Sequence, residues 1–263
     1  MPVLIVLKYG GNAMASSAED PLLDDIAARA AAGDRIVLVH GGGPQIDAEL
    51  ARRGLAPRRI DGLRVTDSAT LEVTEAVLCG TVNKALVRAL QRRGARAAGI
   101  SGQDGSLLIA RELVRSDRVS FGFVGEIAEV HPAILEALLD AAFIPVVAPL
   151  AATADGSTAL NVNADTAAGA IAGALRADAY IVVTNVERVR RDVANPASGI
   201  ARLTATEARA HITDGMFDGG MRPKIESALD ALARGATSAI VCGQGPGALK
   251  FALEGTGTMI VDG

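Results

Sequence analysis

A chain of 263 residues with a net charge of −4 and aromatic side chains at only 3% of positions can bury a large core. It offers neither the cationic field nor the stacking platform of a general nucleic-acid binder. Its two cysteines, Cys79 and Cys242, lie in apolar surroundings without metal-ligand spacing. That pattern argues for buried thiols in a reducing cytoplasm, with neither a disulfide framework nor a zinc site.

The opening apolar stretch, 3–7, reads as a strand. It is too short to cross a membrane and has no basic leader, so no anchor, export signal or membrane partner is expected. In chain order, further apolar runs at 36–39, 95–100, 144–148, 179–184 and 238–242 read as buried strands. Between and around them, 22–32, 45–53, 68–93, 132–142, 164–175 and 224–234 carry apolar residues at helical spacing. Strands apolar on both faces and alternating with helices predict an α/β fold: a three-layer αβα sandwich with a mostly parallel central sheet. The segments 107–109 and 124–130, around the turn-rich 117–122, predict a short antiparallel pair laid over the sheet edge as a cover for a small substrate. No low-complexity linker or fixed repeat divides the chain. The best boundary lies at Arg176-Ala177, giving lobes 1–176 and 177–263, with 187–195 as an exposed loop.

Two glycine turns follow predicted strands, Gly10-Gly11 and Gly41-Gly42-Gly43. A turn of this kind leads into a helix N-terminus, whose unpaired N–H groups and positive dipole end bind anions, and missing side chains let oxygen atoms approach the main chain. A single double glycine reads as a tight turn without a ligand, and a second in the same context reverses the reading toward an anion site. Lys8 stands where the first strand ends, and Lys224 near the start of a helix, where a cation opposes the dipole unless an anion is present. Asp165, also at a helix start, is either a cap or the carboxylate that holds both lysines. The residues therefore suit phosphoryl transfer to an anionic small molecule.

Familiar signatures are missing. There is no Walker loop and no protein-kinase catalytic loop. The glycines of 243–248 imitate a dinucleotide fingerprint, but only fifteen residues follow Ala248, too few for its second strand and ribose-binding acid, so the stretch reads as a turn. His40 and its three glycines have the form of an esterase oxyanion loop, yet no nucleophile elbow exists, because Gly99-Ile100-Ser101-Gly102 continues into Gln103.

Lys8-Tyr9-Gly10-Gly11-Asn12-Ala13-Met14, His40-Gly41-Gly42-Gly43-Pro44, Gly62-Leu63-Arg64-Val65-Thr66-Asp67, Asn161-Val162-Asn163-Ala164-Asp165 and Gly219-Gly220-Met221-Arg222-Pro223-Lys224 stand in one order along the chain. In that order and spacing the chain resembles the amino-acid kinase family over essentially its whole length, and within it the branch acting on N-acetyl-L-glutamate. The resemblance implies an N-terminal lobe, 1–176, that binds the acylated amino acid and dimerises, and a C-terminal lobe, 177–263, that binds ATP. It puts Lys8 and Lys224 on the transferring phosphoryl group with Asp165 organising them. Gly42, Gly43, Arg64 and Asn161 would hold the substrate, and Gly10, Gly11, Asn185, Val189 and Gly220 the phosphates and nucleotide. Arg64 offers a planar fork for a carboxylate, and Asn161 can both donate and accept. The acceptor carboxylate is ionised at neutral pH and needs no general base, so alignment and charge neutralisation remain, with Mg²⁺ held mainly by the nucleotide phosphates and no protein metal site. The product would be an acyl phosphate of the arginine-biosynthetic route.

The chain departs from the family where a nucleotide loop usually reading Asp-Val-x-Gly is Asn185-Val186-Glu187-Arg188. Hexameric, arginine-inhibited relatives carry a helix before the first strand. Here the strand begins at Val3, so the resemblance implies a homodimer, although 254–259 resembles their effector-binding end. Two rivals stay open: a kinase of carrier-protein-linked aminoadipate or glutamate in lysine biosynthesis, and a non-enzymatic nucleotide-binding or storage protein on the same fold. His131, His211 and the arginines 188, 190 and 191 read as a helix entry and solvated surface.

Overall fold

The computed structural model describes residues 2–10, 20–115, 119–217 and 219–262. Its centre is an eight-stranded sheet built from β1 (Leu4–Tyr9), β2 (Arg35–His40), β5 (Ala97–Ser101), β8 (Ile144–Ala148), β11 (Ala179–Thr184), β12 (Arg202–Thr204), β13 (Ala239–Gly243) and β14 (Thr258–Val261), in the order β12-β14-β13-β11-β1-β2-β8-β5. The six strands from β13 to β5 are parallel, and β14 runs antiparallel to β13 with β12 parallel to β14. The junction between residues up to 176 and those from 177 falls between β1 and β11, whose ladder pairs Lys8 with Val182, so one continuous sheet serves both halves.

Period-two alternation sorts the strand residues into two apolar layers. Ile5, Leu7, Ile36, Leu38 and Ile181 pack with α1 (Pro21–Ala31), α4 (Asn83–Arg92) and α9 (Ala248–Leu253). Val6, Val37, Val39, Tyr180 and Val182 join the other cluster, which α5 (Ala133–Asp140), α6 (Ala164–Ala174) and α8 (Arg222–Ala233) cover with α7 (Ala205–Thr213). These strand side chains are at most 1% exposed, and each such Ile, Leu or Val contributes about 1.5–3 kcal/mol of burial. The three-layer αβα architecture read from the sequence is the one observed.

Several local elements differ from the expected ones. The predicted helix over 68–93 is three pieces: α3 (Ser68–Glu75), a π-helical turn over Ala76–Val82, and α4. Apolar spacing continues through the π turn, so its wider winding leaves no mark on the pattern. The expected antiparallel pair is present as β6 (Leu108–Val114) and β7 (Ser120–Val130), and β9 (Leu150–Ala152) with β10 (Ala159–Asn161) closes it into a small barrel. Strands of three residues are too short to show a period. The stretch 243–248 is a turn as read, with Gly245 and Gly247 at positive φ. It leads into α9, whose first N–H groups are met by the Asp25 carboxylate at 3.1 and 3.4 Å, and then into the antiparallel β14.

Candidate active site

Lys8 is the penultimate residue of β1 and alternates onto the face that α6 covers. Asn163 caps that helix, its side-chain oxygen accepting from the N–H groups of Asp165 at 2.8 Å and Thr166 at 3.2 Å. With the cap supplied by Asn163, the Asp165 carboxylate is released for another task. One oxygen lies 3.1 Å from Lys8 Nζ and the other 3.4 Å from Lys224 Nζ. Lys224 reaches it because α6 and α8 pack very closely. A Cβ on Gly169 would come within 2.5 Å of the Ser227 carbonyl oxygen, and one on Gly173 within 2.2 Å of Arg234 Cβ. Two glycines one helical turn apart thus let the helices approach until their first turns face each other.

The cluster carries two cations and one carboxylate in a place where Lys8 is 5% and Asp165 6% exposed. Burial pushes the Lys8 ammonium below the ordinary lysine range, against the pull of Asp165 and with the push of Lys224. An uncompensated positive charge at this depth is a place prepared for an anion. Tyr180, fully buried beneath the cluster, donates within a hydrogen-bond pair to the Asp165 carbonyl at 3.1 Å and shares a 3.0 Å contact with the Ser227 hydroxyl.

A pocket of about 190 Å³ opens beside the cluster and is lined by Gly41, Gly42, Gly43, Arg64, Asn161 and Ala164 among others. All four residues expected to hold the acceptor therefore share one cavity. Arg64, on the short β4 (Leu63–Arg64) paired with β3 (Arg59–Ile60), is 8% exposed and points its guanidinium at Asp47 Oδ1, 2.5 Å away, and at the Gly43 carbonyl, 3.2 Å away. Asp47, in α2 (Gly43–Arg52), also holds Arg59 at 2.6 Å, and these two arginines keep its carboxyl below the usual range despite partial burial. Asn161 donates to the Thr66 hydroxyl at 3.2 Å, which donates to the Arg64 carbonyl at 3.0 Å. Arg59 and Asp47 were not singled out by the sequence, since nothing in a surface Arg or a helical Asp marks them before β3 and β4 fold over α2.

The glycine turns touch each other. A Cβ on Gly10 would lie 2.9 Å from Gly41 N, and one on Gly42 2.6 Å from Leu78 in the π-helical turn, whereas a Cβ on Gly43 or Gly220 would meet nothing within 4 Å. Gly10 is thus required by the facing backbone, Gly42 lies against the Leu78 side chain, which can shift, and Gly43 is required by no neighbour among the described residues. Gly11 lies outside the described residues.

A second cleft, of about 660 Å³, lies beyond β11 and is lined by Asn185, Val186, Glu187, Arg188, Arg190, Pro196, Ala197, Gly199 and Thr256. Asn185 is on its wall as expected. Val189 is not: it is fully buried, its N–H donates to Thr258 Oγ1 at 2.9 Å and its carbonyl accepts from Ile200 at 2.8 Å, so it anchors the loop from the core side. Arg188 and Arg190 also depart from the solvated-surface reading, being half-buried along the cleft, while Arg191 is exposed.

The model of the Amino acid kinase family matches residues 3–243. Among curated relatives, the acetylglutamate kinase of Synechococcus sp. (strain CC9605) is 45% identical over 98% of this chain and 88% of its own length. That of Methanopyrus kandleri is 44% identical over 97% of this chain and 99% of its own. Among solved structures, the carbamate kinase of Giardia lamblia bound to AMP-PNP superposes with a TM-score of 0.74 at 17% identity, covering 100% of this chain and 99% of that one, a likeness of fold.

Proposed function

Because the chain belongs to the amino acid kinase family, we propose that it transfers the γ-phosphoryl group of ATP to the side-chain carboxylate of N-acetyl-L-glutamate in arginine biosynthesis. The products are N-acetyl-L-glutamyl 5-phosphate and ADP. The observation that carries this reading is Asp165 set between the buried Lys8 and the half-buried Lys224, beside a pocket walled by Arg64, Asn161, Gly42 and Gly43.

In this reading a carboxylate oxygen forms a bond to the γ-phosphorus while the bond from that phosphorus to the β–γ bridging oxygen breaks and its electrons leave with ADP. No proton moves at the acceptor, which is ionised at neutral pH. Lys8 and Lys224 hold charge against the equatorial oxygens of the transferring group, and Asp165 fixes both ammonium groups so that little reorganisation accompanies transfer. Arg64 takes the α-carboxylate through guanidinium N–H groups other than the two bonded to Asp47 and Gly43, and Asn161 takes the acetamido group. The cleft at Asn185 and Arg188 takes the nucleotide, with phosphates toward Gly10 and Gly220.

Among the described residues no cluster of three His, Cys, Asp or Glu side chains could cage a metal, and Asp165 is committed to two lysines. Mg²⁺ would therefore arrive on the nucleotide phosphates, where it would neutralise β- and γ-oxygens. The working unit is taken to be a homodimer. Supporting it, β5 is the outermost parallel strand, and its Ala98–Ile100 stretch is half-buried with no strand beyond it among the described residues. The two free thiols suit the cytoplasm, and among the described residues no helix is long and apolar enough to cross a membrane.

The test is trapping of acyl phosphate with hydroxylamine across acidic amino acids, their N-acetyl forms and carrier-linked aminoadipate, with and without arginine. Saturable turnover of N-acetyl-L-glutamate is expected. Turnover confined to the carrier-linked substrate, or ATP binding with no transfer to any acceptor, would overturn the reading.

A further inference from the structure

We propose that His40, held by Asn83, is a positioning residue for the glycine turn: it grips the Gly41 carbonyl and so turns the Gly42 N–H toward the acceptor pocket. The identity of that acceptor rests on the functional reading above.

His40 ends β2 and is 0% exposed. Its Nδ1 lies 2.9 Å from the Gly41 carbonyl oxygen, and its Nε2 3.1 Å from Asn83 Nδ2. The neighbours decide which nitrogen carries the hydrogen. Asn83 Nδ2 faces the Val146 carbonyl at 2.8 Å and the Ile100 carbonyl at 3.3 Å, while its oxygen accepts from Lys84 Nζ at 3.1 Å. That orientation makes Asn83 a donor to Nε2, so Nε2 is the acceptor and the ring hydrogen sits on Nδ1, donating to Gly41. Burial pushes the imidazolium down to about 4, so the ring is neutral at physiological pH and keeps this tautomer; Lys84 pushes the same way.

A trans peptide places its carbonyl and its N–H on opposite sides. With the Gly41 oxygen fixed against the ring, the Gly42 N–H must face away from it, on the side where Gly41, Gly42 and Gly43 line the acceptor pocket. Among the described residues neither the Gly42 N–H nor the Gly43 N–H has a hydrogen-bond partner. Two donors left unpaired in a pocket wall are a receptor for an anionic oxygen.

The surroundings are built to seat this pair. Asn83 is the first residue of α4, immediately after the π-helical turn whose Leu78 and Val82 close on Gly42. A Cβ on Gly99 would come within 1.9 Å of Asn83 Oδ1, so the strand opposite is hollowed for that side chain.

The two amides that can replace histidine separate its two contacts. His40→Asn puts an N–H donor near the position of Nδ1 and keeps the grip on Gly41, whereas His40→Gln reaches only to the position of Nε2. We expect kcat/KM for N-acetyl-L-glutamate to be about tenfold or more lower in His40→Gln than in His40→Asn, with KM for ATP unchanged within about twofold in both. A role in packing alone predicts equal losses, or a better His40→Gln because it fills more of the space, and either result overturns the proposal. ¹⁵N spectra of the native protein, with His131 and His211 identified by their loss in His131→Asn and His211→Asn and His40 as the remaining ring, should show Nδ1 protonated and Nε2 without a hydrogen. An Nε2–H tautomer would refute the mechanism even if both His40 variants fail to fold. If the native protein phosphorylates no carboxylate, the functional reading falls, and the tautomer still judges the His40–Asn83 pair.

Discussion

Asp165→Asn removes one charge and almost no volume from between two ammonium groups. At an effective dielectric constant of about 20, unit charges at the observed 3.1 and 3.4 Å attract by about 5 kcal/mol each. Without that attraction the two lysines repel, and one of them withdraws or releases its proton. If half of one such interaction is missing from the transition state, about 2.5 kcal/mol, kcat falls roughly 70-fold. Because both lysines are affected, a loss of at least about 100-fold is expected, with KM for the acylated amino acid changed less than about threefold. The assay is initial-rate hydroxylamine trapping at saturating ATP, with thermal melts to exclude unfolding. Its pH dependence adds a second reading. In the proposed reaction protonated Lys8 is the useful form, so activity is expected to decline as pH rises through its folded pKa, already below that of free lysine. Removing Asp165 takes away an interaction that raises this pKa, so the alkaline limb moves to lower pH still. A variant within about threefold of native kcat, with its alkaline limb unmoved, would refute this account of the cluster.

Lys8→Met should abolish transfer without lowering the thermal midpoint at pH 7. Burial lowers the folded pKa of Lys8 below its unfolded value, so the charged form costs stability below both values and the cost fades as pH rises between them; a midpoint lower by several degrees would contradict this. Arg64→Ala should raise KM for the acylated amino acid by roughly 30- to 150-fold, the worth of about 2–3 kcal/mol in a charged hydrogen bond, and leave KM for ATP unchanged. Asp47→Asn should have a smaller effect of the same kind, about fivefold, because the Gly43 carbonyl still holds the Arg64 guanidinium; steady-state kinetics with each substrate varied checks both. Gly42→Ala, whose Cβ would meet Leu78 at 2.6 Å, should lose about 1–3 kcal/mol in denaturant titrations. Gly43→Ala, facing open space, should melt like the native protein yet bind the acceptor more weakly.

The layers of the fold were legible because strands such as β1 and β2 are apolar on both faces and their helices carry period-3.6 faces. Lys8 and Lys224 were legible because a lysine ending a buried strand and a lysine opening a helix break local preference, whereas Asp165, at a helix start that favours a carboxylate, was legible only beside them. Asn163 shows the limit: sequence left Asp165 either cap or organiser, and only the 2.8 Å bond from Asp165 N to the Asn163 side chain decides that the cap is elsewhere. Val189 shows the opposite failure. It sits in a polar loop and reads as part of the nucleotide wall, but Thr258 and Ile200, distant in sequence, draw it into the core. The π-helical turn, the three-residue barrel strands and the Asp47–Arg59–Arg64 contact arise from tertiary packing alone and leave no period or motif.

β1 is hydrogen-bonded along both sides, to β2 and β11, with Lys8 opposite Val39 on one side and Val182 on the other. In the proposed reaction the ammonium group that meets the phosphate is therefore attached to a strand paired along both edges, a stationary floor between acceptor and nucleotide. Arg64, carried on a two-residue strand outside the sheet, and Lys224, carried on a helix packed over it, are the walls. Any adjustment of the distance the phosphoryl group must travel then falls to those walls, and heat or denaturant should impair substrate capture before it disturbs the floor.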